Sequence, residues 1–172
     1  TTGTGTSLNE QTRFIFNTGT EASVKLSRVF PQYKSNIFDA RGLKHVVVPS
    51  VNYVFVPKPN ARPNSIPQFD YDMPSLRMLP IGFPAFNAID AIDTSNVMRV
   101  GLRNQLQTKR GEDEIIENLV YWNLFADWRL HPELGQDDFA DMTSDINFRP
   151  RSWLNMGSQV RYSLEDEDYR LA

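Results

Sequence analysis

The side chains able to do covalent or metal chemistry are few and badly spaced for it. Cysteine is absent from the 172 residues. There is thus no thiolate nucleophile, disulfide framework or cysteine-ligated metal site. The two histidines, His45 and His131, are far apart, and neither has a partner at metal-binding spacing. His45 reads as a strand-edge residue and His131 as a loop residue before Pro132. The carboxylate pairs Asp70/Asp72 and Asp90/Asp93 lack EF-hand spacing, so turn chemistry is the stronger reading for them. The acidic run 165–168 reads as a solvated hairpin turn. The Gly-Thr-rich start lacks a P-loop lysine and a preceding strand. No catalytic, cofactor-binding or metal-ligating residue is assigned, no cofactor is expected, and the chain is not expected to be an enzyme.

What remains is the chemistry of guanidinium, carboxamide and carboxylate groups placed at every second position. In 97–107, Met98, Val100, Leu102 and Leu106 alternate with Arg99, Arg103, Gln105 and Gln107. In 119–130, Val120, Trp122, Leu124, Ala126, Trp128 and Leu130 alternate with Tyr121, Asn123, Phe125, Asp127 and Arg129. In 142–149, Met142, Ile146 and Phe148 oppose Asp145, Asn147 and Arg149. In 153–164, Leu154, Met156, Val160, Tyr162 and Leu164 oppose Asn155, Gly157, Gln159 and Arg161. This is the signature of amphipathic β-strands, not helices. Segment 22–30 shows the same period. Segment 44–57 shows it with Val54 and Val56 blurring the pattern, and 12–17 reads as a strand entering a tight turn at Thr18-Gly19. About seven strands result.

The connections divide by size. Segments 109–114 and 150–152 are short, 131–138 is of medium length, and 31–43 connects the second and third strands. Segment 58–95 is the outlier, because seven of the 11 prolines fall between Pro57 and Pro84. That density excludes a regular helix or central strand, so the segment is a long Pro-rich loop. Up-and-down threading puts 17–20, 58–95 and 131–138 at one end, and 31–43, 109–114 and 150–152 at the other. Residues 1–11 read as a frayed end, and 12–172 as part of one β-domain.

Composition limits the class. Lys plus Arg number 18 and Asp plus Glu 21, a formal net charge of −3, which argues against an electrostatic nucleic-acid binder. Aromatic residues at 12% exclude a disordered chain. No run approaches the roughly 18 apolar residues of a spanning helix, and the start has no signal-peptide pattern. A membrane β-barrel escapes this test, because its lipid face uses only alternate residues. Alternating strands permit two architectures: a soluble β-sandwich, whose apolar face is its core, or a barrel whose apolar face meets lipid. Strand length and aromatic residues near strand ends favour the barrel. Its lipid-facing residues are then Met98, Val100, Leu102, Val120, Trp122, Leu124, Trp128, Leu154, Met156, Val160 and Tyr162. The lumen receives Arg99, Arg103, Gln105, Gln107, Asn123, Asp127, Arg129, Asp145, Asn147, Asn155, Gln159 and Arg161. The opposite register would put Arg99 and Arg103 in lipid at about 2–4 kcal/mol each.

Several stretches together carry a family resemblance. Leu43-Lys44-His45-Val46-Val47-Val48-Pro49-Ser50-Val51-Asn52-Tyr53-Val54-Phe55-Val56-Pro57 resembles a strand of the outer-membrane lipopolysaccharide-assembly (LptD/OstA) family. Ile66-Pro67-Gln68-Phe69-Asp70 is similar to a loop element that follows there. Asp90-Ala91-Ile92-Asp93-Thr94-Ser95-Asn96-Val97-Met98-Arg99-Val100-Gly101-Leu102 resembles the family's entry into the next strand. Residues 103–110 continue in the same style, and Asn147 to Leu154 is similar to its short periplasmic turn. The resemblance implies an antiparallel, up-and-down transmembrane β-barrel segment in the outer membrane of a Gram-negative-type cell. It implies lipopolysaccharide as substrate, and a plug lipoprotein, periplasmic bridge proteins and outer-membrane lipid as partners. The family's amino-terminal periplasmic domain, gate strands and disulfide cysteines have no counterpart here. Seven strands also fall short of the eight of the smallest such barrels, so the chain corresponds to an interior part of the barrel. Two other readings stay open: a different outer-membrane porin or channel, and a soluble β-sandwich binding module using 58–95 as its binding loop.

Overall fold

The computed structural model describes residues 12–69, 90, 92–132, 137–164 and 167–171. They form one antiparallel meander with no α-helix among the described residues. The strands are β1 (Thr18–Ser23), β2 (Leu26–Ser35), β3 (Ala40–Val56), β4 (Ser95–Arg110), β5 (Ile115–Arg129), β6 (Phe139–Arg151), β7 (Leu154–Ser163) and β8 (Asp168–Leu171). The order is β1-β3-β4-β5-β6-β7-β8, with β2 also on β3, and the sheet is open. The up-and-down antiparallel expectation therefore holds; the β2–β3, β4–β5 and β6–β7 connections lie at one end, and the long loop, the β5–β6 connection and the short β7–β8 turn at the other.

β1 and β2 are one strand with a single interruption. Thr18 pairs with Phe55, Ser23 with Ser50, and Leu26 with Val47, all in one register. The gap at Val24-Lys25 falls opposite Pro49, which has no N–H to give the ladder. Pro49 still accepts a bond from the Val24 N–H at 3.1 Å.

Two sequence expectations are corrected. Segment 12–17 is irregular, not a strand. Continuing the β1–β3 register outward would set Phe16 and Phe14 against Pro57 and Pro59, and neither proline can donate. The segment instead binds the long-loop stems. The Asn60 carboxamide accepts from the Phe14 N–H and donates to the Thr12 carbonyl, and Arg13 donates to the carbonyls of Asp90 and Ile92. Thr18-Gly19 is not a turn but the start of β1. A Cβ on Gly19 would collide with the Tyr53 carbonyl, so this glycine permits a close backbone approach.

The strands also run longer than the alternation foretold. β5 begins at Ile115, and a bulge between the Leu106/Val120 and Gln107/Asn118 pairs leaves Leu119 as the extra residue. β8 was not expected as a strand. Of the run 165–168, Glu167 lies in the β7–β8 turn and Asp168 opens β8, while Glu165 and Asp166 fall outside the described residues. So do the frayed-end segment 1–11, the carboxylates Asp70 and Asp72, and residues 70–89 and 91 of the long loop. That loop contains a 3-10 turn, Pro63–Ser65.

Candidate functional site

Residues directly opposite each other in an antiparallel ladder share a face. The register therefore sorts the side chains without reference to their chemistry. One face carries Met98 with Trp128, Val100 with Ala126 and Met142, Leu102 with Leu124, and Leu106 with Val120, Phe148 and Met156. Trp122 pairs with Ile146, Ser144 with Val160, and Met142 with Tyr162. Leu154 follows by alternation within β7. The other face carries Arg99 with Asp127, Arg103 with Asn123, Asp145 and Gln159, Arg129 with Val97, and Asn147 with Gly157. Thr143 pairs with Arg161 there, and Gln105, Gln107 and Asn155 follow by register and alternation. The register thus groups the candidates named from sequence on two faces of one sheet.

Burial does not follow polarity on the two faces. On the polar face Val46 is 1%, Thr143 3% and Ser163 1% exposed. On the apolar face Val100 is 46%, Met156 46% and Ile146 37% exposed. Arg103 and Asp145 on the polar face are themselves exposed, and Leu102, Leu106, Trp122 and Leu124 on the apolar face are half-buried. Among the described residues no second layer covers the apolar face.

The polar face is organised by charge pairing. Arg99 grips Asp127 with two bonds, Nε to Oδ1 at 2.6 Å and Nη2 to Oδ2 at 2.8 Å. Arg161 pairs with Asp141 diagonally across β6 and β7. These bidentate or close pairs fix side-chain positions. Arg103 is exposed and has no ion pair among the described residues. Its register partner Asn123 leaves Oδ1 buried without a hydrogen bond. Gly101 lies beneath the Phe125 ring, where an added Cβ would stand 2.8 Å from the ring and 2.6 Å from Ser50 Oγ. A larger residue here would force the Ser50 hydroxyl and the Phe125 ring to shift.

The apolar face is banded. Near the long-loop end, one row of register partners contains Tyr53, Met98, Trp128 and Phe139, and the next contains Tyr162 and Tyr169. Trp128 stacks on Phe139 with centroids 5.8 Å apart, and Tyr162 meets Tyr169 edge-on at 4.9 Å. Near the short-turn end lie Phe148, Phe38 at 6.2 Å from it, and the exposed Trp153. From the Met98 row to the Leu106 row is eight residues. At about 3.4 Å per residue and a tilt near 40°, that is a band of roughly 21 Å. The polar indole N–H of Trp122 inside this band donates to Ser144 Oγ at 3.0 Å.

The short-turn end holds a feature the sequence did not reveal. The turn at 36–39 leans over the β4–β5 end to reach β6, with Arg151 Nη2 donating to the Asn36 carbonyl at 2.7 Å. Arg110 is 3% exposed, pairs with Glu117 at 3.2 Å, and donates to the carbonyls of Arg149 and Pro150. At the opposite end His131 Nδ1 lies 2.9 Å from Asn96 Nδ2, beside a cavity of about 520 Å³ that Asp93 and Arg129 also line. His45 sits well inside β3, not at its edge, and the register puts it on the apolar face. Asp93 Oδ1 accepts locally from the Thr94 N–H, whereas Asp90 Oδ2 accepts from the Phe69 N–H, 21 residues earlier, and so joins the two ends of the long loop. No group of three metal-capable side chains occurs among the described residues. Comparison with protein-family models, curated proteins and solved structures gave no match.

Proposed function

We propose that this chain is part of the wall of an outer-membrane β-barrel that assembles lipopolysaccharide into the outer leaflet. The exposed apolar side chains Val100, Ile146 and Met156 carry the first half of this reading. An uncovered apolar face about 21 Å tall, edged by aromatic residues, matches the lipid-facing band of such barrels. The opposite face, bearing Arg99, Arg103, Asp127, Asp145 and Arg161, matches a wet lumen. On this reading the long-loop end is extracellular and the short turns are periplasmic. The second half rests on the sequence resemblance of Leu43 to Pro57 and of Asp90 to Leu102. From it follow a plug lipoprotein in the lumen, periplasmic bridge proteins that deliver substrate, and a role in transport without covalent chemistry. Arg99 and Arg161 already have carboxylate partners, which supports a structural part for them. Arg103 is the guanidinium best placed to meet substrate or plug.

A photoactivatable residue at position 103 tests the proposal in an envelope that is exporting lipopolysaccharide. Adducts to lipopolysaccharide or to a lumenal lipoprotein are expected. A folded, membrane-inserted protein that crosslinks to neither would overturn the transport assignment and leave the barrel wall standing.

A further inference from the structure

Three cations stand side by side at the short-turn end. Lys34 on β2 is the register partner of Arg41 on β3, and Arg41 is the partner of Lys109 on β4. Like charges placed directly opposite destabilise a strand pair, so this row is costly unless something anionic meets it. Lys44 lines the same cleft. Lys109 has a carboxylate, Glu114 Oε2, at 2.6 Å. Lys34, Arg41 and Lys44 have no ion pair among the described residues.

The backbone around the row is shaped for it. One bulge separates Phe30 from Lys34 in the β2–β3 ladder, and another separates Arg41 from Leu43 against β4. Between them Gly42 takes φ 71°, a left-handed conformation, in space open enough that crowding does not require glycine. Bulges re-aim side chains and gather at functional sites. The cleft so formed has a volume of about 900 Å³, with Asp39 as its second carboxylate beside Glu114. Ser35, Asn36 and Gln107 add hydrogen-bond donors to its lining, and Val29 and Ile116 add apolar surface.

We propose that this cleft binds a phosphate group, presented either by a soluble phosphate ester or by a lipid headgroup. Phosphate has the charge to meet three unpaired cations at once, and its oxygens suit a guanidinium fork flanked by ammonium groups. The adjoining Val29 and Ile116 suit an ester with an apolar portion. The proposal does not depend on the membrane reading above.

The test follows thermal unfolding of the whole chain in neutral detergent by tryptophan fluorescence. Glycerol 3-phosphate is compared with chloride at equal ionic strength. In a second arm the micelles are doped with phosphatidic acid or with phosphatidylcholine. The midpoint should rise with glycerol 3-phosphate if the source is soluble, and with phosphatidic acid alone if it is lipid. Arg41→Gln and Lys34→Gln should each raise the phosphate-free midpoint, by removing a like-charge pair, yet bind the phosphate at least tenfold more weakly. Lys25→Gln, outside the cleft, should change neither. A wild-type midpoint that responds to no phosphate, or variants that respond as the wild type does, would overturn the proposal. The opposed signs separate it from a structural role, for which both substitutions would lower the midpoint.

Discussion

Arginine at the centre of the apolar band is the sharpest perturbation of the proposed barrel wall. Leu102 lies midway between the Met98 and Leu106 rows, paired with Pro49 on one side and Leu124 on the other. If lipid covers this face, Leu102→Arg buries a guanidinium near the bilayer midplane at about 2–4 kcal/mol. At roughly 1.4 kcal/mol per tenfold, the folding equilibrium falls by about 30- to 1,000-fold. Gln159→Lys on the polar face is the matched control, since its register partner Asp145 offers a favourable cross-strand charge. Its expected effect is within about 0.5 kcal/mol of zero. Denaturant unfolding in phospholipid vesicles, read by tryptophan fluorescence, measures both. If Leu102→Arg lowers stability no more than Gln159→Lys does, lipid does not cover that face, and the barrel-wall reasoning fails.

Three other outcomes follow from particular contacts. Asp127→Asn leaves Arg99, 15% exposed, without its carboxylate and should cost about 1–3 kcal/mol by the same unfolding assay. Gly101→Ala drives a Cβ against Ser50 Oγ and the Phe125 ring, and should destabilise by about 1–3 kcal/mol, whereas Gly101→Ala combined with Phe125→Ala should recover part of that loss. The Lys109 ammonium beside Glu114 holds its carboxyl below the usual carboxylate range, with Arg41 a weaker contributor. A lowered folded pKa gives stability that is present above the unfolded value and is lost as pH falls through the folded one. Glu114→Gln should therefore lower the unfolding midpoint slightly at neutral pH and leave it unchanged in strong acid, a difference that paired melts resolve.

The division of the sheet into two faces was legible because side-chain direction in a strand has a period of two, and register only joins faces already defined. Arg99 and Asp127 lie on different strands, yet alternation alone placed both on the polar side. Strand ends were not legible, because other chemistry decides them. Segment 12–17 has strand-forming residues but would meet Pro57 and Pro59, a conflict visible only once the β1–β3 register is known. Ile115-Ile116 breaks the alternation, and the bulge at Leu119 resets its phase, so the first part of β5 was hidden. Arg110 on β4 meets the Arg149 and Pro150 carbonyls of β6, two strands away in the sheet, which local sequence does not encode. The cationic row is likewise a product of two bulges, and no spacing within one strand announces it.

The natural absence of cysteine makes a labelling scan of β4 direct. Single cysteines at residues 98 to 106, each carrying a nitroxide, are examined in phospholipid vesicles for collision with oxygen, which concentrates in lipid, and with a water-soluble nickel chelate. The proposed barrel wall predicts oxygen accessibility that peaks at 98, 100, 102 and 106, with nickel accessibility peaking at 99, 103 and 105. Nickel accessibility at 100 and 102 equal to that at 103 would contradict it, because the apolar face would then be meeting water.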